Sequence, residues 1–181
     1  MQFGVPLLHD FVIDSAARLP GKVALVVAKQ RITYAELDAR SNALAHALVK
    51  RGVDRGDRVV IFGDNSVETV VAFWAVLKAN AVVSIVNPLT KADKVAYMLN
   101  DCRASAMITD AHLSGIWAEA APKATHLKTT LVSGDVDAET AKAAPGFVTW
   151  DAAVAGEPRE APPKRRCIDV DLAAIIYTSG S

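Results

Sequence analysis

Between Arg58 and Val132 the chain alternates short apolar, β-branched runs with segments whose apolar residues recur at helical spacing. The runs Arg58–Phe62, Val82–Val86, Ala104–Thr109 and Thr129–Val132 begin about 24 residues apart. Strands and helices in alternation predict βαβ units on a parallel sheet. Val59-Val60-Ile61-Phe62 is apolar without interruption, as a strand covered on both faces should be.

The intervening segments carry helix start signals. Thr33 with Glu36 has the capping-box spacing, and Leu37, Leu44, Ala45 and Leu48 then form one stripe that Gly52 ends. Asn65 with Glu68 predicts a second start, followed by Val67, Val70, Val71, Trp74 and Leu77 and a stop near Asn80, a residue type tolerant of a left-handed turn. Thr90 with Asp93 predicts a third, burying Val95, Met98, Leu99 and Cys102. Leu113, Ile116, Trp117 and Ala120 mark a fourth, halted by Pro122. Upstream, Leu8, Phe11, Val12, Ser15 and Leu19 fit an amphipathic helix ended by Pro20-Gly21, and Val23–Val27 with Gln30–Thr33 reads as a hairpin around Ala28-Lys29. Downstream, Ser133–Gly146 reads as a polar loop, Phe147–Trp150 as a short strand and Glu157–Arg166 as a charged, Pro-rich connector; Leu172–Thr178 predicts a last strand. The fold class is therefore α/β: a largely parallel sheet flanked by helices, plus a small antiparallel hairpin.

Composition narrows the partners. Half of the 181 residues are apolar, and Lys+Arg and Asp+Glu balance at 20 each, so no basic excess marks a nucleic-acid or anionic-membrane surface. No run of about 18 apolar residues predicts a membrane span, and Asp10 and Asp14 in an N-terminus without a basic region argue against a signal peptide. Cys102 and Cys167 stand far apart without metal-ligand spacing, which predicts reduced structural thiols and a cytoplasmic protein. His9, His46, His112 and His126 are scattered, so no metal ligands are assigned. Asp169 and Asp171 are read as solvating the approach to a strand, and Trp74, Trp117 and Trp150 as packing residues.

The candidate chemistry lies at the carboxy terminus. Ala174-Ile175-Ile176-Tyr177 is an apolar run that leads into Thr178, Ser179, Gly180 and Ser181. Glycine lets backbone approach a ligand closely, and hydroxyls beside exposed N–H groups suit the oxygens of a nucleotide triphosphate. A functionless Ser/Gly tail has the same composition.

Other segments join this one in a fixed order. Ile32-Thr33-Tyr34-Ala35-Glu36-Leu37, Leu77-Lys78-Ala79-Asn80-Ala81-Val82-Val83, Val86-Asn87-Pro88 and Tyr177-Thr178-Ser179-Gly180-Ser181 together resemble the first three signature motifs of the adenylate-forming, AMP-binding enzymes. The resemblance covers nearly the whole chain from Leu7 onward, and Asn80 stands where the family usually has glycine. It implies that Thr178, Ser179, Gly180 and Ser181 hold the β- and γ-phosphates of ATP. It also implies Mg²⁺ and coenzyme A as cofactors, and a carboxylic acid, fatty or aromatic, as substrate.

The third motif breaks off at Ser181, so the chain is expected to be the N-terminal part of an AMP-forming acyl-CoA synthetase. The remainder of the same enzyme is its expected partner, and the fragment alone should be inactive, with no catalytic residue of its own. On that reading residues 1–156 are an α/β subdomain, 157–171 a linker, and 172–181 the start of the next sheet with the truncated phosphate loop. Val86-Asn87-Pro88 resembles the acyl-CoA synthetase version of its motif, whereas Val95–Asp101 resembles that of peptide-synthetase adenylation domains. An adenylation domain or acyl-carrier-protein ligase therefore stays open, as does a non-catalytic α/β nucleotide-binding or interaction module. A Rossmann dehydrogenase is disfavoured, because Phe62-Gly63-Asp64-Asn65 lacks the G-x-G-x-x-G pattern.

Overall fold

Successive residues of a strand point to opposite faces, and here each face meets its own layer of helices. In the computed structural model, which describes residues 5–178, Val59 and Ile61 pack into one core while Val60 and Phe62 pack into another. Helix α1 (Asp10–Arg18) precedes an antiparallel hairpin of β1 (Val23–Val27) and β2 (Gln30–Thr33), and α2 (Tyr34–Lys50) follows. The repeating part comprises β3 (Arg58–Phe62), α3 (Val67–Lys78), β4 (Val82–Val86), α4 (Ala92–Asp101), β5 (Ala104–Asp110), α5 (Ser114–Ala120) and β6 (Thr129–Ser133). Short elements α6 (Ala138–Lys142), β7 (Phe147–Thr149) and α7 (Trp150–Val154) complete it. The sheet is parallel throughout, in the order β4-β3-β5-β6-β7. Helices α2 and α3 cover the face of Val59, Ile61 and Ile108; α4 and α5 cover that of Val60, Phe62 and Met107.

The expected α/β class and hairpin are present, and several local signals act as expected. Thr33 and Glu36 form the reciprocal capping box of α2, and Ala28 turns the hairpin with φ 51°. Others are displaced. The cap of α3 is Ser66, accepting from Thr69 N–H at 3.1 Å, one residue after the expected Asn65. Helix α4 starts after Lys91 with no side-chain cap; Thr90, the expected cap, lies one residue earlier in a turn, its N–H donating to Asn87 C=O at 2.9 Å. The loop 133–146 contains α6, whose cap Asp137 accepts from the N–H groups of Glu139 and Thr140. Helix α1 buries only Val12 of its expected stripe and leaves Phe11 59% exposed.

The expected strand 172–178 is reduced to one parallel bridge between Ala174 and Val83. Val83 N–H donates to Ala173 C=O at 3.0 Å and Ile175 N–H to Val83 C=O at 2.9 Å. A ladder needs such bonds repeated at every second residue, and among the described residues only Val83 of β4 supplies them.

Helices α2 and α3 are joined by a buried ammonium. The Lys78 side chain is fully buried and donates to Asp38 Oδ1 (2.7 Å), Asp38 C=O (3.2 Å), Ser41 Oγ (2.7 Å) and Asn42 Oδ1 (2.8 Å). Burial lowers its pKa from the usual 10.5, and Asp38 opposes that shift. Asn42 Nδ2 reaches on to Arg159 C=O at 2.9 Å, tying the network to the segment that follows α7. Removing one member of such a set leaves the others desolvated without a counter-charge. Lys78→Met, close in volume, is expected to cost about 3 kcal/mol, read as a lower urea midpoint. An unchanged midpoint would contradict the role given to the ammonium.

Candidate phosphate-binding site

In open parallel sheets, ligands bind beyond the carboxyl ends of the strands, near the point where strand order reverses. Here β3 is followed by β4 on one side and then by β5 on the other, so that point lies between β3 and β5. The terminal segment runs parallel to β4 from Ala174, which carries Thr178 towards the same end of the sheet. Thr178 is exposed. Ser179, Gly180 and Ser181 lie outside the described residues.

The segment is fastened before the motif and at its first residue. Before it, residues 157–171 have no regular structure, yet they are tied down repeatedly. Lys50 binds Glu157 at 2.7 Å, His46 Nε2 meets Ala161 C=O at 2.9 Å, and Arg165 and Arg166 pair with Asp10 and Asp54. Asp171 receives the Arg55 guanidinium through both oxygens. Within the motif, the Tyr177 hydroxyl donates to Asp101 Oδ2 at 2.7 Å, joining it to the end of α4. Burial first, and then the Asp101 carboxylate, raise the pKa of that phenol, so it remains a donor at neutral pH. Beside the segment is a groove of about 760 Å³, lined by Thr69, Phe73, Val83, Ile85, Leu89 and Ile176 among others. Ile176 and Leu89 are largely exposed there.

A polar cluster sits at the reversal point itself. Asp64, Asp110 and His112 place their potential ligand atoms within 4.8 Å of one another. Ordinary interactions account for the grouping: His112 Nε2 pairs with Asp64 Oδ2 at 2.8 Å, and Asp110 Oδ2 accepts from Asp64 N–H at 3.0 Å. Burial raises the Asp110 pKa, which that backbone bond opposes. No spacing in the sequence brings these three residues together; the ends of β3 and β5 do. Of the other singled-out residues, Trp117 is buried and donates to Asp110 C=O at 3.0 Å, and both cysteines are free thiols.

Comparison with known proteins places this geometry in a family. The profile described as "AMP-binding enzyme" matches residues 12–181. Tyrocidine synthase 2 of Brevibacillus parabrevis is 33% identical over 174 residues, covering 96% of this chain and 4% of that protein. A medium/long-chain-fatty-acid–CoA/3-oxocholest-4-en-26-oate–CoA ligase of Mycobacterium tuberculosis is 27% identical over 174 residues, covering 96% of this chain and 31% of the relative. In fold, the chain is similar to the anthranilate CoA ligase AuaEII in complex with anthranoyl-AMP, with a TM-score of 0.87 at 22% identity, covering 97% of this chain and 33% of that one. The chain belongs to the AMP-binding enzymes, a family of adenylate-forming ligases. It spans a third or less of the length of these relatives.

One contact at the reversal point is open to a direct test. A Cβ on Gly63 would lie 2.8 Å from Asp110 Oδ2 and 3.3 Å from Thr69 Oγ1. Gly63→Ala should therefore destabilise by about 1–2 kcal/mol through overpacking. In an Asp110→Ala background most of that cost should vanish, a coupling that a double-mutant cycle reads directly. Additive costs would show that the carboxylate is not what excludes a side chain at residue 63.

Proposed function

We propose that this chain is the amino-terminal part of an AMP-forming acyl-CoA synthetase. Its substrate would be a carboxylic acid, fatty or aromatic, and its setting the cytoplasm. Residues 1–156 would form one subdomain, 157–171 a linker, and 172–181 the entry to the next, with the remainder of the enzyme supplying the rest of the active site. The observation that carries the reading is the parallel bridge of Ala174 to Val83 of β4, which directs the chain as far as Thr178 towards the carboxyl end of the sheet. Thr178, Ser179, Gly180 and Ser181 would receive the β- and γ-phosphates of ATP. Hydroxyl and amide donors are suited to that task, and the described member, Thr178, has an exposed side chain.

In the reaction, a substrate carboxylate oxygen attacks the α-phosphorus of ATP and the bond to the leaving pyrophosphate breaks. The sulfur of coenzyme A then attacks the acyl carbon and AMP departs. Mg²⁺, when bound, would offset charge on the phosphates. The contribution of this chain is to hold the leaving pyrophosphate in place while that charge develops. Support for coenzyme A as acceptor comes from Val86-Asn87-Pro88 and from the mycobacterial CoA ligase. A second reading, the adenylation domain of a peptide synthetase, has the higher identity of the tyrocidine synthase in its favour. Both share the first half-reaction.

Carboxylate-dependent ATP–pyrophosphate exchange by the complete polypeptide tests that half. Ser179→Ala or Gly180→Val is expected to depress exchange about a hundredfold with the far-ultraviolet spectrum unchanged, the scale seen on removing one transition-state donor. Wild-type rates in both variants would refute the phosphate role. Thioester formation on free coenzyme A supports the synthetase. Transfer only to a carrier protein would favour the adenylation domain instead.

A further inference from the structure

Asn80 ends α3 in the left-handed region, with φ 64°, and is only 4% exposed. Glycine adopts that conformation without strain, and an asparagine there accepts a small cost. Its side chain makes three hydrogen bonds. Oδ1 accepts from the N–H groups of Arg166 (2.6 Å) and Cys167 (3.1 Å), and Nδ2 donates to Lys164 C=O (3.1 Å). Its carbonyl accepts from Gly56 N–H at 2.9 Å and from the Cys167 thiol at 3.4 Å. A glycine would supply the backbone turn and none of the three side-chain bonds.

Those bonds lie immediately upstream of the phosphate-loop segment. After Cys167 the chain makes one turn, in which Ile168 N–H donates to Asp171 Oδ2 at 3.0 Å and Asp171 N–H to Ile168 C=O at 3.1 Å. It then returns to Val83, three residues beyond Asn80, for the bridge at Ala174. Both ends of this small loop are therefore fixed to one corner of the fold, the passage from α3 into β4. Without the Asn80 side chain, the contacts left to the segment among the described residues include the Arg165–Asp10, Arg166–Asp54 and Arg55–Asp171 pairs, the Cys167 thiol on the residue-80 carbonyl, the bonds at Val83 and the Tyr177 hydroxyl.

We propose that Asn80 is a positioning residue for the phosphate loop: its carboxamide sets where residues 174–178 lie along β4, and through them the reach of the loop to ATP. The positioning of a nucleotide rests on the adenylation reading above; the anchoring of the segment does not. Two variants separate side chain from backbone. Asn80→Gly keeps the left-handed turn and deletes all three side-chain bonds. Asn80→Asp keeps both accepted bonds but sets a carboxylate oxygen against the Lys164 carbonyl where Nδ2 had donated.

The test has two arms. In the present chain, amide hydrogen exchange at Arg166, Cys167 and Ile175 should accelerate about fivefold or more in N80G, as loss of a net hydrogen bond or two predicts. The amides of β3 and β5 should keep their protection. In the complete polypeptide, the KM for ATP in pyrophosphate exchange should rise about tenfold in N80G with kcat within about twofold, the signature of lost uniform binding. N80D should keep more protection than N80G at Arg166 and Cys167, whose N–H groups its carboxylate still accepts. Unchanged exchange at Ile175 overturns the anchor. Faster exchange with an unchanged KM for ATP overturns the link to the loop. A wild-type polypeptide without pyrophosphate exchange contradicts the adenylation reading and with it that link, while the amide arm still decides the anchor.

Discussion

The functional geometry depends on a pair of backbone hydrogen bonds at the open edge of β4. Val83 uses its N–H and its C=O to take Ala173 and Ile175 alongside it, and no other residue of β4 forms such a bridge among the described residues. A lone bridge is weak, since one exposed peptide bond pair contributes only about 1 kcal/mol. The bridge acquires value from what holds the chain on either side of it. Upstream there are the Asn80 carboxamide and the Arg55–Asp171 pair; downstream there is the Tyr177 hydroxyl on Asp101. Each removes freedom from the segment before the hydroxyl-and-glycine run begins, and that pre-organisation is what a phosphate loop requires.

The same corner of the fold bears the buried ammonium of Lys78. A fully buried lysine is rare unless paired, and this one faces a carboxylate, a hydroxyl and a carboxamide from a single turn of α2. The arrangement ties α2 to α3. Because Asn42 also holds Arg159, it specifies where the irregular stretch after α7 starts its path across those helices. Three polar residues of α2, α3 and the turn after α3, namely Asn42, Lys78 and Asn80, thus hold a segment that composition alone describes as a charged, Pro-rich connector. The charges in that connector are not merely solubilising: Glu157, Arg165 and Arg166 each meet a partner.

Much of the fold could be read from the chain because its signals are local. Strands such as Val59–Phe62 are continuous hydrophobic runs, and the Thr33 box and the left-handed turn at Asn80 depend on residues within a few positions of one another. What escaped reading was set by contacts distant in sequence. The Lys78 head lies against residues about 40 positions earlier, and Asp64 meets Asp110 and His112 only because β3 and β5 are neighbours. The cap of α3 moved by one residue, from Asn65 to Ser66, a shift that helix start signals do not resolve because both residue types can accept from the orphan N–H groups. At the candidate site, the motif suggested a phosphate-binding role, and the described part of it, to Thr178, runs towards the carboxyl end of the parallel sheet. The anchoring of that segment by Asn80 and Asp101 became visible only in three dimensions.

The position of a bound nucleotide triphosphate is the most direct test of the phosphate loop. A crystal structure of the complete polypeptide with a non-hydrolysable ATP analogue should show the β- and γ-phosphates against residues 178–181, beyond the carboxyl end of β4. Phosphates bound elsewhere, for example over Asp64 and His112 at the ends of β3 and β5, with residues 178–181 free of contact, would contradict it.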